Sequence, residues 1–405
     1  MSNSFKHIIT NIKGDKVIWA VAGLLAIFSF IPVFSASSNL AYLYGNGSTL
    51  KYLVKHFTHL FLGFTILYAI HKVPYRYFRG LSIIMVPVVI LLLLFTLAQG
   101  NTIGGANASR WIQLPIVNMT FQTSTLAAVV LMVYVARYLS KTYDKKISFK
   151  ESLLPLWLPV FLILALILPA NLSTALIIFS MVCVLVFLGG YPIRYLATII
   201  AGGVVALLLF VLLAKAFPDL FPNRVDTWMS RIESFTNPDV KAEDYQVEKA
   251  KIAIARGGVT GTGIGKSVQR NFLPQSSSDF IYAIIVEEMG LVGAFGVMLA
   301  YLLLLFRFII VATKAPTIFG KLLVVGVGLP IIFQALINMA VAVELFPVTG
   351  QTLPLISSGG SSIWMTCMAL GIVISVSVQR EKIKSEQAKE VINEENPLEI
   401  LSEAI

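Results

Sequence analysis

The sequence predicts an all-α polytopic membrane protein with about ten transmembrane helices and a large extracytoplasmic loop between helices seven and eight. Of its 405 residues, 57% are hydrophobic and only 13% are charged, whereas soluble domains carry about 25% charged residues. Apolar runs close to the roughly 20 residues that cross a bilayer recur along the chain. Lys and Arg crowd alternate connections between these runs, as the positive-inside rule requires.

The apolar runs give the predicted spans in order. They cover residues 17–37, 53–70, 81–99, 121–139, 153–169, 171–188, 195–214, 280–306, 322–343 and 360–379. The first run follows Lys6, Lys13 and Lys16, as the apolar core of a signal peptide does. It is too long, however, lacks a convincing small-residue cleavage site and is followed at once by further spans. We therefore interpret it as the first anchor.

The distribution of basic residues sets the predicted orientation. It places the N-terminus (1–16) and the tail (381–405) in the cytoplasm, and the long polar stretch 215–279 on the outer face. The net charge of +10 is explained by this topology and not by nucleic-acid binding. The acidic tail lacks apolar periodicity and is predicted to be a frayed end.

The cysteine and histidine residues do not indicate a metal site. Cys183 and Cys367 fall inside apolar spans, where free cysteine behaves as a small hydrophobe, so neither a disulfide framework nor a cysteine metal site is predicted. His56, His59 and His71 lie near span ends without metal-ligand spacing and are interpreted as structural.

Unusual polar segments cluster on the predicted outer face, at 104–115, 215–279 and 346–362. Three loops on one face predict one composite site. The first contains Arg110 beside Trp111. Interfacial tryptophan is common as a membrane anchor, so Trp111 is interpreted equally well as an anchor or as part of a site.

The long stretch 215–279 contains GGVTGTGIGKS at 257–267, which ends like a phosphate-binding P-loop. The match fails because Thr260 stands where the first P-loop glycine is required, no strand precedes it and the loop faces outward. Its glycines are predicted to give tightly turned backbone, with a supporting role in admitting a phosphate to exposed amides.

Acidic residues at the start of the eighth span are the main catalytic candidates. Asp279 stands at its mouth, where it could cap the helix, act chemically, or do both. Glu287 and Glu288 follow about two turns inside the span. Ionisable groups in a span are costly, so these two are predicted to line a cavity or pair with a cation.

Several strings together resemble the SEDS family (shape, elongation, division and sporulation), typified by FtsW and RodA. They are RWI at 110–112, GTGIGKS at 261–267, LPQSSSDFIYA at 273–283, EEMGLVG at 287–293, QALIN at 334–338 and PVTGQTLPLISSGGSS at 347–362. The resemblance covers a membrane domain of about residues 17–380. The wording GQTLPLIS at 350–357 is more similar to the division branch than to the elongation branch.

The resemblance implies a ten-helix fold and a peptidoglycan glycosyltransferase that polymerises lipid II during cell division, releasing undecaprenyl diphosphate. It also implies the bacterial cytoplasmic (inner) membrane, a class B penicillin-binding transpeptidase as partner, other divisome membrane proteins nearby, and no nucleic acid.

Carried over to this chain, the resemblance makes Asp279 the catalytic residue. The substrate-binding residues that it implies are Arg110, Trp111, Lys266, Gln275, Ser358, Gly359 and Gly360. A divalent cation, Mg or Mn, is expected to neutralise the leaving charge, with Asp279 and Glu288 as candidate ligands.

The chain departs from the family pattern in two places. QTST at 122–125 stands where QPSE is usual, and Ala128 stands near an expected Lys. An acid and a base are thus lost together, which leaves no unpaired buried charge. Asn171 and Ser173 replace an Asp and a Gly, which puts a cation-ligand role at those positions in doubt.

Two other functions remain open at this stage. A lipid II transporter (flippase) would use the same fold, although polar groups spread over several helices at the midplane are then expected. A non-catalytic scaffold for a transpeptidase is favoured by the altered QTST segment and disfavoured by the presence of Asp279.

Overall fold

The structure is a computed structural model that describes residues 13–44, 49–99, 110–114, 119–145, 147–217, 225–236, 244–273 and 276–395. These residues form α-helices and a two-stranded antiparallel hairpin. In chain order the elements are α1 (Lys16–Tyr44), α2 (Thr49–Ile70), α3 (Arg76–Gln99), β1 (Trp111–Leu114), β2 (Met119–Gln122), α4 (Thr123–Thr142), α5 (Phe149–Ile167), α6 (Leu172–Leu188), α7 (Ile193–Ala216), α8 (Val225–Thr236), α9 (Asp244–Gly257), a 3-10 turn (Gln269–Asn271), α10 (Ile281–Thr313), α11 (Ile318–Ala342) and α12 (Gly360–Glu395).

Among the described residues, 9 helices are long and apolar enough to cross a membrane: α1 to α5, α7, and α10 to α12. The apolar helix α6 has 17 residues and, at about 1.5 Å per residue, comes close to the roughly 30 Å of hydrocarbon. Each predicted span therefore corresponds to one helix, and the all-α polytopic fold is confirmed.

Two segments are more regular than predicted. The stretch 215–279 contains the helices α8 and α9. The last helix continues to Glu395, so the prediction of a frayed tail is wrong as far as that residue. Lys, Glu, Gln and Ala have high helix propensity, which extends α12 without any apolar periodicity. Residues 396–405 lie outside the described ranges.

Close helix packing builds the core. Gly63 on α2 faces Cys367 and Ile363 on α12, where an added Cβ would lie 3.0 Å from the cysteine sulfur. Small residues at a crossing let two helix backbones approach, which is a main source of attraction between helices in lipid. Helix α7 differs, because only 11% of its most apolar window is buried within the protein.

Described residues of the β1–β2 pair, of the stretch between α7 and α10 and of the α11–α12 connection line one cavity, and the end of the bundle that they occupy is here called the loop end. The sequence predicts that this end faces outward. The helix α10 begins here and is broken at Gly290, whose φ of 65° and ψ of −161° are not helical. The part after the break is close to the roughly 20 residues that cross a bilayer, so Ile281–Met289 forms a separate half-helix at the loop end.

The glycine-rich loop 257–267 fills this break with backbone hydrogen bonds. The amides of Thr262 and Gly263 donate to the carbonyls of Glu287 and Glu288, at 2.9 and 3.0 Å. Beyond the break, the amide of Leu291 donates to the carbonyl of Gly258 at 3.0 Å. The polar groups freed by the broken helix are thereby satisfied, as the membrane environment demands.

Two glycines make this junction sterically feasible. An added Cβ would lie 2.1 Å from the Glu288 carbonyl oxygen at Gly261, and 2.3 Å from the Val259 carbonyl oxygen at Gly290. Both residues also have positive φ, which disfavours any side chain. The motifs around 261 and 290 are thus two sides of one backbone junction.

Candidate active site

A cavity of about 720 Å³ opens at the loop end and extends between the spanning helices. Polar side chains line its mouth: Arg110, Gln122, Arg231, Gln246, Asp279 and Gln351. Apolar side chains line its depth: Met132, Ile178, Met181, Val327, Ile331 and Met365. A cavity of this kind fits a molecule with a polar head and an apolar chain.

Asp279 stands at the cavity mouth just before α10. Its backbone carbonyl accepts a hydrogen bond of 2.7 Å from the Asn338 side-chain amide. An added Cβ at Gly350 would lie 3.5 Å from Asp279 Oδ2, so the glycine lets the loop pass beside the carboxylate. The helix-cap interpretation of Asp279 is wrong, because the N-cap residue is Phe280 and no side chain caps this helix.

Burial raises the pKa of the Asp279 carboxyl above its usual value. A hydrogen bond with the Ser278 side chain and the positive charges of Arg231 and Arg110 oppose that shift. A carboxylate with a raised pKa is a stronger base than an exposed aspartate, which suits it to accept a proton near neutral pH.

Serines fasten the segment that carries Asp279. The Ser357 hydroxyl donates to the Ser278 carbonyl at 2.6 Å, and the Ser358 hydroxyl donates to the Ser277 carbonyl at 2.9 Å. Ser358 does not line the cavity, whereas Gly359 does. Gly360 packs on a histidine ring, where an added Cβ would lie 2.6 Å from His59 Cε1. Ser358, Gly359 and Gly360 were all predicted to bind substrate, and of these Gly359 lines the cavity.

Arg110 and Trp111 both line the cavity. The Arg110 Nε donates to the carbonyl of Ala170 at 2.7 Å, which fixes this arginine to the connection between α5 and α6. Trp111 begins β1 and pairs with Gln122 at the end of β2. The hairpin therefore places Trp111 in the site, in addition to any role as a membrane anchor.

Lys266, Glu287 and Glu288 lie outside the cavity lining. Lys266 is exposed on the glycine-rich loop. The Glu288 carboxylate accepts hydrogen bonds from the Ser35 hydroxyl and, at 3.2 Å, from the Ser267 amide. Glu287 is bonded in the same way, accepting from the Ser267 hydroxyl at 2.5 Å. The two glutamates hold the junction at Gly290 and do not stand beside Asp279. Gln275 lies outside the described residues.

The fit of a divalent cation depends on Asp279. Among the described residues, no group of three or more His, Cys, Asp or Glu could hold a metal ion. Asp279 is also the only carboxylate among the described lining residues. Magnesium often binds one carboxylate together with substrate phosphates and water, so Asp279 fits such an ion, whereas Glu288 does not reach the cavity.

Sequence reasoning missed several lining residues. Arg231 and Gln246 come from α8 and α9 in the long polar stretch, where no motif marks them. Gln351 donates to the Thr174 hydroxyl at 3.0 Å, and Gln334 donates to the Thr352 carbonyl at 2.9 Å. Both glutamines occur inside strings that the resemblance singled out, so that resemblance was the signal that could have found them.

The two departures from the family pattern have distinct structural outcomes. Thr125 and Ala128 both line the cavity, and their spacing puts them on one face of α4. Asn171 Oδ1 accepts a hydrogen bond of 3.2 Å from the Thr174 amide and caps α6. Asn171 therefore acts as a helix cap.

The chain matches a known protein family over most of its length. A family model described as "Cell cycle protein", named for FtsW, RodA and SpoVE, matches residues 15–382. The chain belongs to this family. It is 33% identical over 371 residues to a Geobacter sulfurreducens protein named "Probable peptidoglycan glycosyltransferase FtsW", covering 90% of this chain and 95% of that protein. A Coxiella burnetii protein of the same name is 32% identical over 348 residues, covering 83% and 88%.

Solved structures of the family share the fold. The Thermus thermophilus rod shape determining protein RodA is 25% identical with a TM-score of 0.64, covering 91% of this chain and 97% of that one. A chain from a structure titled "Structural coordination of polymerization and crosslinking by a peptidoglycan synthase complex" is 26% identical with a TM-score of 0.67, covering 91% and 98%. The chain is thus a multi-pass bacterial membrane protein.

Proposed function

We propose that this protein is a peptidoglycan glycosyltransferase that polymerises lipid II into glycan strands for septal wall synthesis and releases undecaprenyl diphosphate. The observation that carries the proposal is the position of Asp279. It is a carboxylate at the polar mouth of a cavity whose depth is mostly apolar. The relatives named as probable FtsW glycosyltransferases, which the match covers to 95% and 88% of their length, support the same activity.

In the proposed reaction, the Asp279 carboxylate takes the proton of the acceptor sugar's 4-hydroxyl. The hydroxyl oxygen attacks the anomeric carbon of the donor sugar, and the bond from that carbon to the diphosphate breaks. The diphosphate leaves with the bonding electron pair. Arg110, held by Ala170, is placed to stabilise this negative charge.

Asp279 would hold a magnesium or manganese ion at the cavity mouth. When bound, such an ion supplies charge neutralisation for the leaving diphosphate. The residues of this chain supply one ligand, the cavity walls and the orientation of the carboxylate. The Ser278 side chain and the backbone contact from Asn338 hold that orientation.

The test is glycan polymerisation by purified protein from lipid II, with a divalent cation and its transpeptidase, comparing wild type with Asp279→Asn. Glu344→Gln is the matched control, because Glu344 is an exposed carboxylate at the same loop end, paired with Lys251 at 2.5 Å and outside the cavity lining. We expect polymer from wild type and the control, and none from folded Asp279→Asn. Equal polymer from all three would remove Asp279 from the mechanism.

A lipid transporter is the second candidate function. It is disfavoured because the charged lining residues in the described ranges gather at the loop end, and the described lining at membrane depth is uncharged. Reconstituted vesicles distinguish the two, since a transporter moves labelled lipid II between leaflets without forming polymer. A non-catalytic scaffold would do neither, and Asp279→Asn would then support cell growth as well as wild type does.

A class B penicillin-binding transpeptidase is the proposed partner, with other divisome membrane proteins around it. Support comes from the structural relative whose title joins polymerization to crosslinking in one complex. Both termini are proposed to be cytoplasmic. Reporter fusions at residue 405 and within 237–243 would test this, and equal reporter activity at both positions would contradict the topology.

A further inference from the structure

Arg231 is an unassigned cation at the cavity mouth. It lies on α8, half-buried, and lines the same cavity as Asp279 and Arg110. Its Nη1 donates to the Val348 carbonyl at 3.0 Å. The helix that carries it is seated on α7, where Trp228 packs against Phe210 with ring centroids 6.0 Å apart.

The charges of the cavity mouth do not balance. Among the described lining residues, the charged side chains are Arg110, Arg231 and Asp279, so the mouth is net positive. It therefore attracts an anion, and a low-dielectric wall strengthens that attraction relative to bulk water. Of the two cations that the sequence predicted for this site, Arg110 lines the cavity and Lys266 does not.

The anchoring of Arg231 preserves most of its donors. A guanidinium carries five N–H donors in a fixed plane. The carbonyl of Val348 is the only hydrogen-bond acceptor of Arg231 within the described ranges. The backbone contact thus fixes the plane of the side chain while the remaining N–H groups stay available beside Asp279.

We propose that Arg231 binds the diphosphate of the lipid substrate together with Arg110. The inference rests on the proposed function, because it takes the leaving group of that reaction as the anion. Paired N–H groups match two phosphate oxygens, and such charge-assisted bonds are among the strongest hydrogen bonds in proteins. Arg110 precedes β1 and Arg231 lies on α8, so a diphosphate bound by both would join these two segments.

Binding measurements on the full-length protein in detergent test this role without turnover. The probes are undecaprenyl diphosphate and undecaprenyl monophosphate. We expect Arg231→Gln to weaken binding of the diphosphate by about tenfold and binding of the monophosphate by much less. The ratio of the two affinities should therefore fall. Arg231→Lys keeps the charge and should recover part of the loss. Lys266→Gln, which removes an equal charge outside the cavity, should leave both affinities unchanged.

The outcomes separate a substrate contact from a structural one. If Arg231 only anchors Val348, its loss loosens the loop and weakens binding of both probes equally. That result would overturn the proposal. Unchanged binding in Arg231→Gln would overturn it as well. Should the wild type bind diphosphate through Arg231 but make no polymer, the proposed function fails and the diphosphate site stands. If the wild type makes polymer but Arg231→Gln leaves the ratio of the two affinities unchanged, the diphosphate site fails and the proposed function stands.

Discussion

The side-chain amide of Asn338 donates to the backbone carbonyl of Asp279 at 2.7 Å, and the same nitrogen donates at 2.7 Å to the carbonyl of Gln351. Asn338 is 1% exposed. One buried amide therefore fastens α11 to the segment that presents the carboxylate and to the loop that covers it. The position of Asp279 depends on this contact as well as on its own helix.

Asn338→Ala is predicted to lower both stability and activity. The substitution leaves two carbonyls without their donor, at a cost of about 1–3 kcal/mol. Turnover should fall more than substrate affinity, because the contact positions the carboxylate and not the lipid. Steady-state kinetics and thermal unfolding in detergent measure both effects. Asn338→Asp should be worse, since a carboxylate facing two carbonyls is repelled. Wild-type kinetics in Asn338→Ala would contradict this role.

The pH dependence of the polymerisation rate should reflect ionisation of the Asp279 carboxyl group. Because burial raises its pKa, the acid limb of the rate profile is expected above the roughly 3.9 of an ordinary aspartate. Arg231 and Arg110 lower this pKa, so Arg110→Gln should move the limb to higher pH. If the acid limb of the rate profile lies at the same pH in Arg110→Gln as in wild type, a group other than Asp279 titrates there.

The same shift predicts a trade between stability and activity. A group with a raised folded pKa binds more protons in the native state, so its stability contribution is present below about 3.9 and is lost as pH rises through the folded value. Ionisation of Asp279 therefore destabilises the fold. Asp279→Asn should melt at or above the wild-type temperature at pH 7, and the difference should shrink in acid. A markedly lower melting temperature at pH 7 would contradict this assignment.

Gly290→Ala should damage the fold through the helix break. The positive φ and the 2.3 Å approach to the Val259 carbonyl oxygen leave no space for a methyl group, and we expect a loss of more than about 3 kcal/mol. Gly296→Ala is the control on the same helix, because an added Cβ there meets nothing within 4 Å. Melting temperatures of the two variants provide the comparison, and equal values would contradict the junction.

The loss of an acid and a base on α4 can be tested by introducing both groups again, at positions 125 and 128. Thr125→Glu alone places a carboxylate in the cavity where a diphosphate is proposed to bind, and KM for lipid II should rise about tenfold. Adding Ala128→Lys one turn away should return KM close to the wild-type value, because the new charges pair. A double variant no better than the single one would show that the positions are independent.

Most predicted spans agree with the observed helices within several residues, because each apolar run must individually cross the bilayer. The last helix continues well past its predicted end, and the eighth span is broken at Gly290. Prediction of the site was less complete. Asp279, Arg110, Trp111 and Gly359 reach the cavity, whereas Lys266 and Glu288 do not. An acid inside an apolar run indicates a satisfied polar group, but no sequence pattern distinguishes a cavity from a broken helix.

The sequence by itself determined the membrane topology class, the order of the helices and the family, since these follow from local hydropathy and from contiguous strings. Only the tertiary structure decided which polar groups share a space. The glycine run fills the break at Gly290, and Arg231 lines the same cavity as Asp279 from a helix almost fifty residues earlier. Such contacts depend on how the loops fold over the bundle, and that geometry depends on hydrogen bonds between residues far apart in the chain.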